Sequence, residues 1–153
     1  MNSLEMTLDG DTGILCKRRF AAPPEKVFKA HTDIDLLRQW MLGPDGWTIS
    51  QIEYDARPGG KIAITWENGD ESFSLSGHFV SLEPPHRIVH VERFHMPDPT
   101  PDNHIETMFE ADGDGTLMVM RMQLPDKEAR DAMIATGMEE GMSDSYDRLD
   151  ALA

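Results

Sequence analysis

The chain has 153 residues and carries 14 lysines and arginines against 28 aspartates and glutamates, a net charge of −14. That balance opposes the basic footprint a nucleic-acid reader needs and any electrostatic attachment to anionic lipid. Its one cysteine, Cys16, excludes an internal disulfide and a tetrathiolate metal site.

A length of this kind reads as one domain over residues 1–153, able to bury roughly 70% of the surface its unfolded chain exposes. The N-terminus lacks the basic-then-apolar pattern of a secretory signal, and no apolar run is long enough to span a membrane. The expected setting is the reducing cytoplasm.

In chain order, residues 1–11 form a lead-in expected to fray or to add an edge strand. Gly13 to Phe20, with Ile14, Leu15 and Phe20 among cations, reads as a first strand. Ala21-Ala22-Pro23-Pro24-Glu25 stops it, and Pro24 is placed for the first turn of a short helix ending near His31. Thr32 or Asp33 can cap a second helix from Ile34 to Trp40, which Gly43-Pro44-Asp45-Gly46 ends. The period then changes. Residues 47–54, 61–67, 71–82, 87–94, 104–110 and 116–124 read as strands between turn signals such as Asn68-Gly69-Asp70. Met96 to Asn103, with three prolines, reads as a loop and as the mobile segment.

From Asp126 onward there is no proline, and Ile134, Met138, Met142, Ser145, Leu149 and Leu152 recur at three- and four-residue steps. This is the stripe of one long amphipathic helix. Gly137 and Gly141 lie beside it, each costing roughly 1 kcal/mol relative to alanine. They point either to close packing on a curved sheet or to the wall of a cavity. Hairpin-linked strands without a helical crossover pair antiparallel. One face of such a sheet must be covered, and only the C-terminal helix is large enough. The expected fold is therefore α+β, a curved antiparallel sheet of about seven strands wrapped around a long C-terminal helix, with two short helices after the first strand.

The segment from Phe20 to Ala30, FAAPPEKVFKA, resembles the opening of the START-like helix-grip superfamily (SRPBCC). Leu36 to Trp40, Asp55 to Lys61, Gly77 to Val89 and Gly137 to Met142 are similar to marks of one branch. That branch is the family named after the activator of the ninety-kilodalton heat-shock chaperone's ATPase. The resemblance spans roughly Ile14 to Leu149, and it implies the helix-grip fold. Lipid and hormone binding, polyketide cyclase or aromatase chemistry and chaperone activation all occur on that architecture, so fold does not choose among them. The chain departs from the branch at Met41, where tryptophan is common, and at Met142, where an aromatic is frequent. Two flexible thioethers in place of rings imply a pocket of altered shape.

Trp40, Trp47, Trp66, Phe73, Phe79, Phe94 and Phe109 are ordinary core material singly; around a hollow they are the lining an apolar ligand needs. Met118, Met120 and Met122 alternate on the last strand, opposite Met138 and Met142, as either a soft core or an adaptable wall. His90 and Glu92 share a strand face, with His78 in the adjacent strand, and with His104 they make a weak two-histidine-plus-carboxylate pattern. Isolated polar pairs are usually satisfied or solvated, so no metal and no cofactor are expected. In a catalytic reading, Glu92 beside His90 acts as a general acid/base with its pKa raised by the apolar wall. A register slip of one residue turns both outward. Arg93 and Arg121 offer a carboxylate contact or surface ion pairs of little worth. No nucleophile motif, phosphate loop or dinucleotide fingerprint is present.

These features point to binding of a small, mainly apolar molecule between sheet and C-terminal helix, through Trp40, Trp47, Trp66, Phe79, Phe94, Met118, Met120, Met138 and Met142. The alternatives are a cyclase- or dehydratase-like enzyme using Glu92, His90 and His78, and a protein-binding module with a chaperone partner. A homodimer is compatible with the sequence; nucleic acid and membrane are not expected partners.

Overall fold

Alternation in the middle of the chain builds one antiparallel sheet of eight strands, seen in a computed structural model that describes residues 3–95 and 99–152. The strands are β1 (Glu5–Asp9), β2 (Gly13–Phe20), β3 (Thr48–Tyr54), β4 (Lys61–Asn68), β5 (Glu71–Glu83), β6 (Arg87–His95), β7 (Asn103–Asp112) and β8 (Gly115–Gln123). Their spatial order is β1-β2-β8-β7-β6-β5-β4-β3. Two short helices, α1 (Pro24–Ala30) and α2 (Ile34–Trp40), carry the chain from β2 to the far edge. From there β3 to β8 meander back until β8 pairs with β2, setting Ile14 beside Met122 and Cys16 beside Met120. The lead-in supplies the eighth strand, β1, at the edge.

Local chemistry sets the corners. Pro24 opens α1, and the Asp33 carboxylate caps α2 by accepting from the Asp35 and Leu36 amides. Trp40 Nε1 donates to the Ala30 carbonyl at 2.9 Å, tying the end of α2 to the end of α1. Register shifts between Ile49 and Gln51 and between Phe79 and Ser81 bend β3 and β5. At Gly77 a Cβ would lie 2.0 Å from the Val91 carbonyl oxygen, so only glycine lets β5 approach β6 this closely. Part of the proline-rich loop is pinned rather than loose: the Thr100 amide donates to Phe94 O, and the Phe94 amide donates to Thr100 Oγ1. Met96 to Asp98, also read as part of that mobile segment, lie outside the described residues.

The expected single C-terminal helix is two helices, α3 (Lys127–Ala135) and α4 (Met138–Leu152). Gly137 is not inside a helix; it adopts φ +83° between them. The apolar period survives this break because one left-handed residue re-aims the chain while each helix stays amphipathic. Gly141 does lie inside α4, and it is a packing glycine. Its missing Cβ would sit 3.5 Å from Pro44 and 3.9 Å from Gly43, so it faces the α2–β3 loop rather than a hollow. The stripe ends at buried Leu149, since Leu152 is 44% exposed.

Polar contacts fasten these helices. Buried Arg130 of α3 donates to the Gly10 and Gly13 carbonyls at the β1–β2 turn. Arg18 of β2 reaches Asp147 and Asp150 of α4. On the other flank, Ser145 Oγ accepts from the Gly43 amide, and Arg148 donates to Gly43 O and Asp45. Among the described residues no helix is long and apolar enough to cross a membrane.

The two glycines should respond to alanine with opposite signs. Gly141→Ala meets only ordinary contact and gains helix propensity, so urea unfolding should show up to about 1 kcal/mol of added stability. Gly137→Ala meets no side chain but must hold a left-handed φ, and should lose roughly 1 kcal/mol. Equal effects at the two positions would contradict the break.

Candidate functional site

The face of the sheet beneath α4 divides into two aromatic groups. In the first, Tyr146 of α4 stacks on Trp40 with ring centres 5.8 Å apart and meets Phe20 edge-on at 5.6 Å. His31 lies 4.9 Å from both Trp40 and Phe109, and Phe28 meets Phe109 at 5.8 Å. All these side chains are buried, so this end is filled. The second group sits on β3 to β6: Trp66 stacks on Phe73 at 4.9 Å, with Trp47 and Phe94 at 5.1 and 6.1 Å from Phe73. Trp66 is anchored by its Nε1 donating to Met41 O and is buried, whereas Trp47, Phe73 and Phe94 are partly exposed.

Between these groups the sheet turns a polar pair inward. Register places His90 between Phe79 and Ile105, both buried, and Glu92 between Gly77 and Asn103. His90 Nε2 is 2.7 Å from Glu92 Oε1, with side chains only 14% and 16% exposed. Because Gly77 has no side chain, nothing on β5 covers the carboxylate in that row. Tyr54 and Tyr146 both have phenols pushed well up, first by burial and then in part by the Glu92 charge. The pair therefore looks toward α4 and not toward solvent.

Among the described residues, four buried polar atoms beneath α4 have no protein partner: His90 Nδ1, His31 Nε2, Asn103 Oδ1 and, on β2, Arg18 Nε. His31 itself is 7% exposed and bonds through Nδ1 to the Val27 carbonyl. Burial lowers its pKa to about 4. Cys16, fully buried beside Met120, has its thiol pushed up to about 11 by desolvation, and is inert as a nucleophile.

Of the residues singled out in the sequence, Trp40, Phe79 and Met118 are closed core, and Trp66 and Met120 are nearly so. Trp47, Phe94, Met138 and Met142 pack against that core while remaining partly exposed. His78 does not join His90 and Glu92. It neighbours inward-facing Phe79 on the strand and so points to the opposite, exposed face. His104 is exposed for the same reason, next to buried Asn103 and Ile105. Among the described residues no three His, Cys, Asp or Glu side chains gather closely enough to hold a metal ion. Arg93 pairs with Asp102 at the surface, where two open clefts of about 450 and 460 Å³ also lie, away from the polar pair.

Sequence reasoning missed His31, Asn103 and Tyr146. Tyr146 carried a usable signal, since it falls four residues after Met142 and three before Leu149. Asn103 sat at a loop end and gave none.

Residues 21–153 match the family model described as activator of Hsp90 ATPase homolog 1-like protein. No curated protein matches the chain. Among solved structures, a protein from Rhodobacter sphaeroides is similar with a TM-score of 0.90 and 27% identity, over 97% of each chain. A protein from Chromobacterium violaceum is similar with a TM-score of 0.77 and 26% identity, over 92% of this chain and 96% of that one. A protein from Mycobacterium smegmatis shares the fold with a TM-score of 0.86 at 22% identity, over 97% and 94%.

The neutral burial of His31 has a pH signature. Its folded pKa is depressed from 6.5 to about 4, so its contribution is complete above 6.5 and is lost as the pH falls toward 4. Over that window the unfolded chain takes up a proton the folded ring refuses, worth up to about 3 kcal/mol. In urea unfolding at about pH 7 and about pH 4.5, His31→Leu should therefore lose less stability on acidification than the parent does. An unchanged acid response would assign the effect to other groups.

Proposed function

Because the chain belongs to the activator of Hsp90 ATPase homolog 1-like family, we propose that it binds a small, mainly apolar molecule between the sheet and α4. His90 and Glu92 form the polar end of that site. One observation carries this reading: a hydrogen-bonded ionisable pair is turned into an apolar interior, next to buried polar atoms that the protein leaves unpartnered. Leaving such atoms desolvated costs about 1–3 kcal/mol each, and a guest that bonds to them recovers that cost.

The partly exposed Phe94, Met138 and Met142 supply the route inward. Thioether chains have three rotatable bonds and re-pack around different shapes at low cost. Methionine at position 142 serves this role better than a rigid ring. The lone buried thiol of Cys16 fits a reducing cytoplasmic setting.

The enzymatic alternative keeps His90 and Glu92 but loses His78, which stands on the other face. The protein-binding alternative needs a contiguous apolar patch. Among the described residues the large exposed apolar ones, Leu8, Val80 and Leu152, sit on three different elements, β1, β5 and α4.

The test is titration with Nile red, an uncharged apolar dye. The parent should bind it saturably. A Met138→Lys, Met142→Lys double variant should bind about tenfold more weakly or worse, since each buried apolar chain is worth roughly 1.5–3 kcal/mol. Leu8→Lys, on the exposed edge, should bind like the parent. Failure of the parent to bind would overturn the reading; undiminished binding by the double variant would overturn the placement.

A further inference from the structure

A buried imidazole nitrogen without a partner has its role fixed by the other nitrogen of the ring. In His31, Nδ1 lies 2.8 Å from the Val27 carbonyl oxygen, which can only accept, so Nδ1 carries the hydrogen. Burial keeps that ring neutral, and Nε2 is left as a lone pair facing no protein donor. His90 repeats the logic with its nitrogens exchanged. Its Nε2 donates to the Glu92 carboxylate, and in the neutral ring Nδ1 becomes the lone pair, again unpartnered. Asn103 Oδ1, across from Glu92 in the β6–β7 register, is a third acceptor.

Around the polar pair this interior thus offers acceptors and a carboxylate, and the one unpartnered donor among the described residues, Arg18 Nε, lies on β2. The two buried arginines do not offset them. Arg18 has its charge balanced by Asp147 and Asp150 and also donates to the Arg19 carbonyl, with only its Nε unpartnered, and Arg130 is engaged by Asp131 and two carbonyls at the β1–β2 turn. A bound anion would meet the Glu92 charge and imidazole lone pairs, and the nearest buried cation, Arg18, is already balanced by two carboxylates. An apolar molecule with only acceptor oxygens would leave those lone pairs buried and unpaired.

Resting on the reading that this interior takes an apolar guest, we propose that the guest is uncharged and carries a hydroxyl group that donates its hydrogen to His90 Nδ1. Glu92 is a positioning residue here. By accepting from Nε2 it keeps the lone pair on Nδ1, the nitrogen that meets the guest. Sites built to bond a hydroxyl reject the analogue that lacks it, because the site's own polar atom is then left unpaired.

Calorimetric titration with naphthol, methoxynaphthalene and naphthoate of matched substitution, at about pH 8, where free naphthol is uncharged and naphthoate ionised, tests this. The parent should bind naphthol about tenfold or more tightly than either analogue, the worth of one hydrogen bond to a buried acceptor. His90→Phe should bring naphthol down to the level of methoxynaphthalene, whose own affinity stays put. Glu92→Gln, nearly isosteric, keeps the test open if the phenylalanine variant does not fold. Its amide can donate to Nε2 and so move the ring hydrogen to Nδ1, which should shrink the naphthol preference. Equal binding of naphthol and methoxynaphthalene, or tightest binding of naphthoate, overturns the hydroxyl inference and leaves the apolar reading standing. So does Nile red binding with none of the three bound. If neither the dye nor any naphthalene binds, both fall.

Discussion

The Arg18 guanidinium, buried under α4, meets Asp147 at 2.9 Å and Asp150 at 3.4 Å. Asp147 is largely exposed and Asp150 partly so, and removing both would leave the buried guanidinium charge desolvated and uncompensated. Asp150 also accepts from the Ala21 amide where β2 hands over to α1, so the same carboxylate holds the strand end and the helix. Across the sheet, Ser145 and Arg148 bind the backbone of Gly43, and Gly141 lets that loop approach. Helix α4 is thus fixed at both rims of the curved sheet, one near β2 and the other near β3. The position of α4 over the sheet is set by these fastenings as well as by apolar packing.

The two rims are built differently, and the interior reflects it. Near α1 and α2, short helices bring Phe28, His31 and Trp40 onto Phe109 and Tyr146, and the rings fill the volume. Toward β3 to β6 the aromatic side chains are less closely covered. Trp47, Phe73 and Phe94 accordingly keep part of their surface in contact with solvent. The polar pair lies where the filled end gives way to the open one. Gly77 has one structural and one chemical consequence there: it lets β5 and β6 approach, and it leaves the Glu92 carboxylate bare on the β5 side.

Much of this was legible before any coordinates. Strand alternation and hairpin signals placed β2 to β8, because each strand has one wet face and therefore a period of two. Pro24 and Asp33 announced the starts of α1 and α2 through the chemistry of helix caps. The break at Gly137 was not legible in the same way, since a stripe with period 3.6 continues across it and glycine is tolerated inside helices as well as between them. The orientation of His90 and Glu92 hinged on a single residue of register, which the bulge near Val80 helps to decide. His78 was misplaced for the same reason: two residues in adjacent strands look close in sequence terms whether or not they share a face. Buried Arg18 and Arg130 were invisible because charge is normally read as exposure, and only the helices packed above and beside the sheet reveal their partners.

Four titratable groups of this interior, Cys16, His31, Tyr54 and Tyr146, share one tendency. Burial drives the Cys16 thiol up to about 11, raises the phenols of Tyr54 and Tyr146, and lowers His31 to about 4. Each shift favours the uncharged form at neutral pH. Nucleophilic catalysis needs the opposite, a thiolate or other activated group held in its reactive state by a neighbouring charge. In the binding role proposed above, neutral donors and acceptors in fixed positions would discriminate between guests by whether each buried polar atom finds its complement. The desolvation that makes these groups poor reagents is the same desolvation that makes an unpaired lone pair costly. The selectivity proposed for this interior would thus draw on the same burial that shifts Cys16, His31, Tyr54 and Tyr146 toward their uncharged forms.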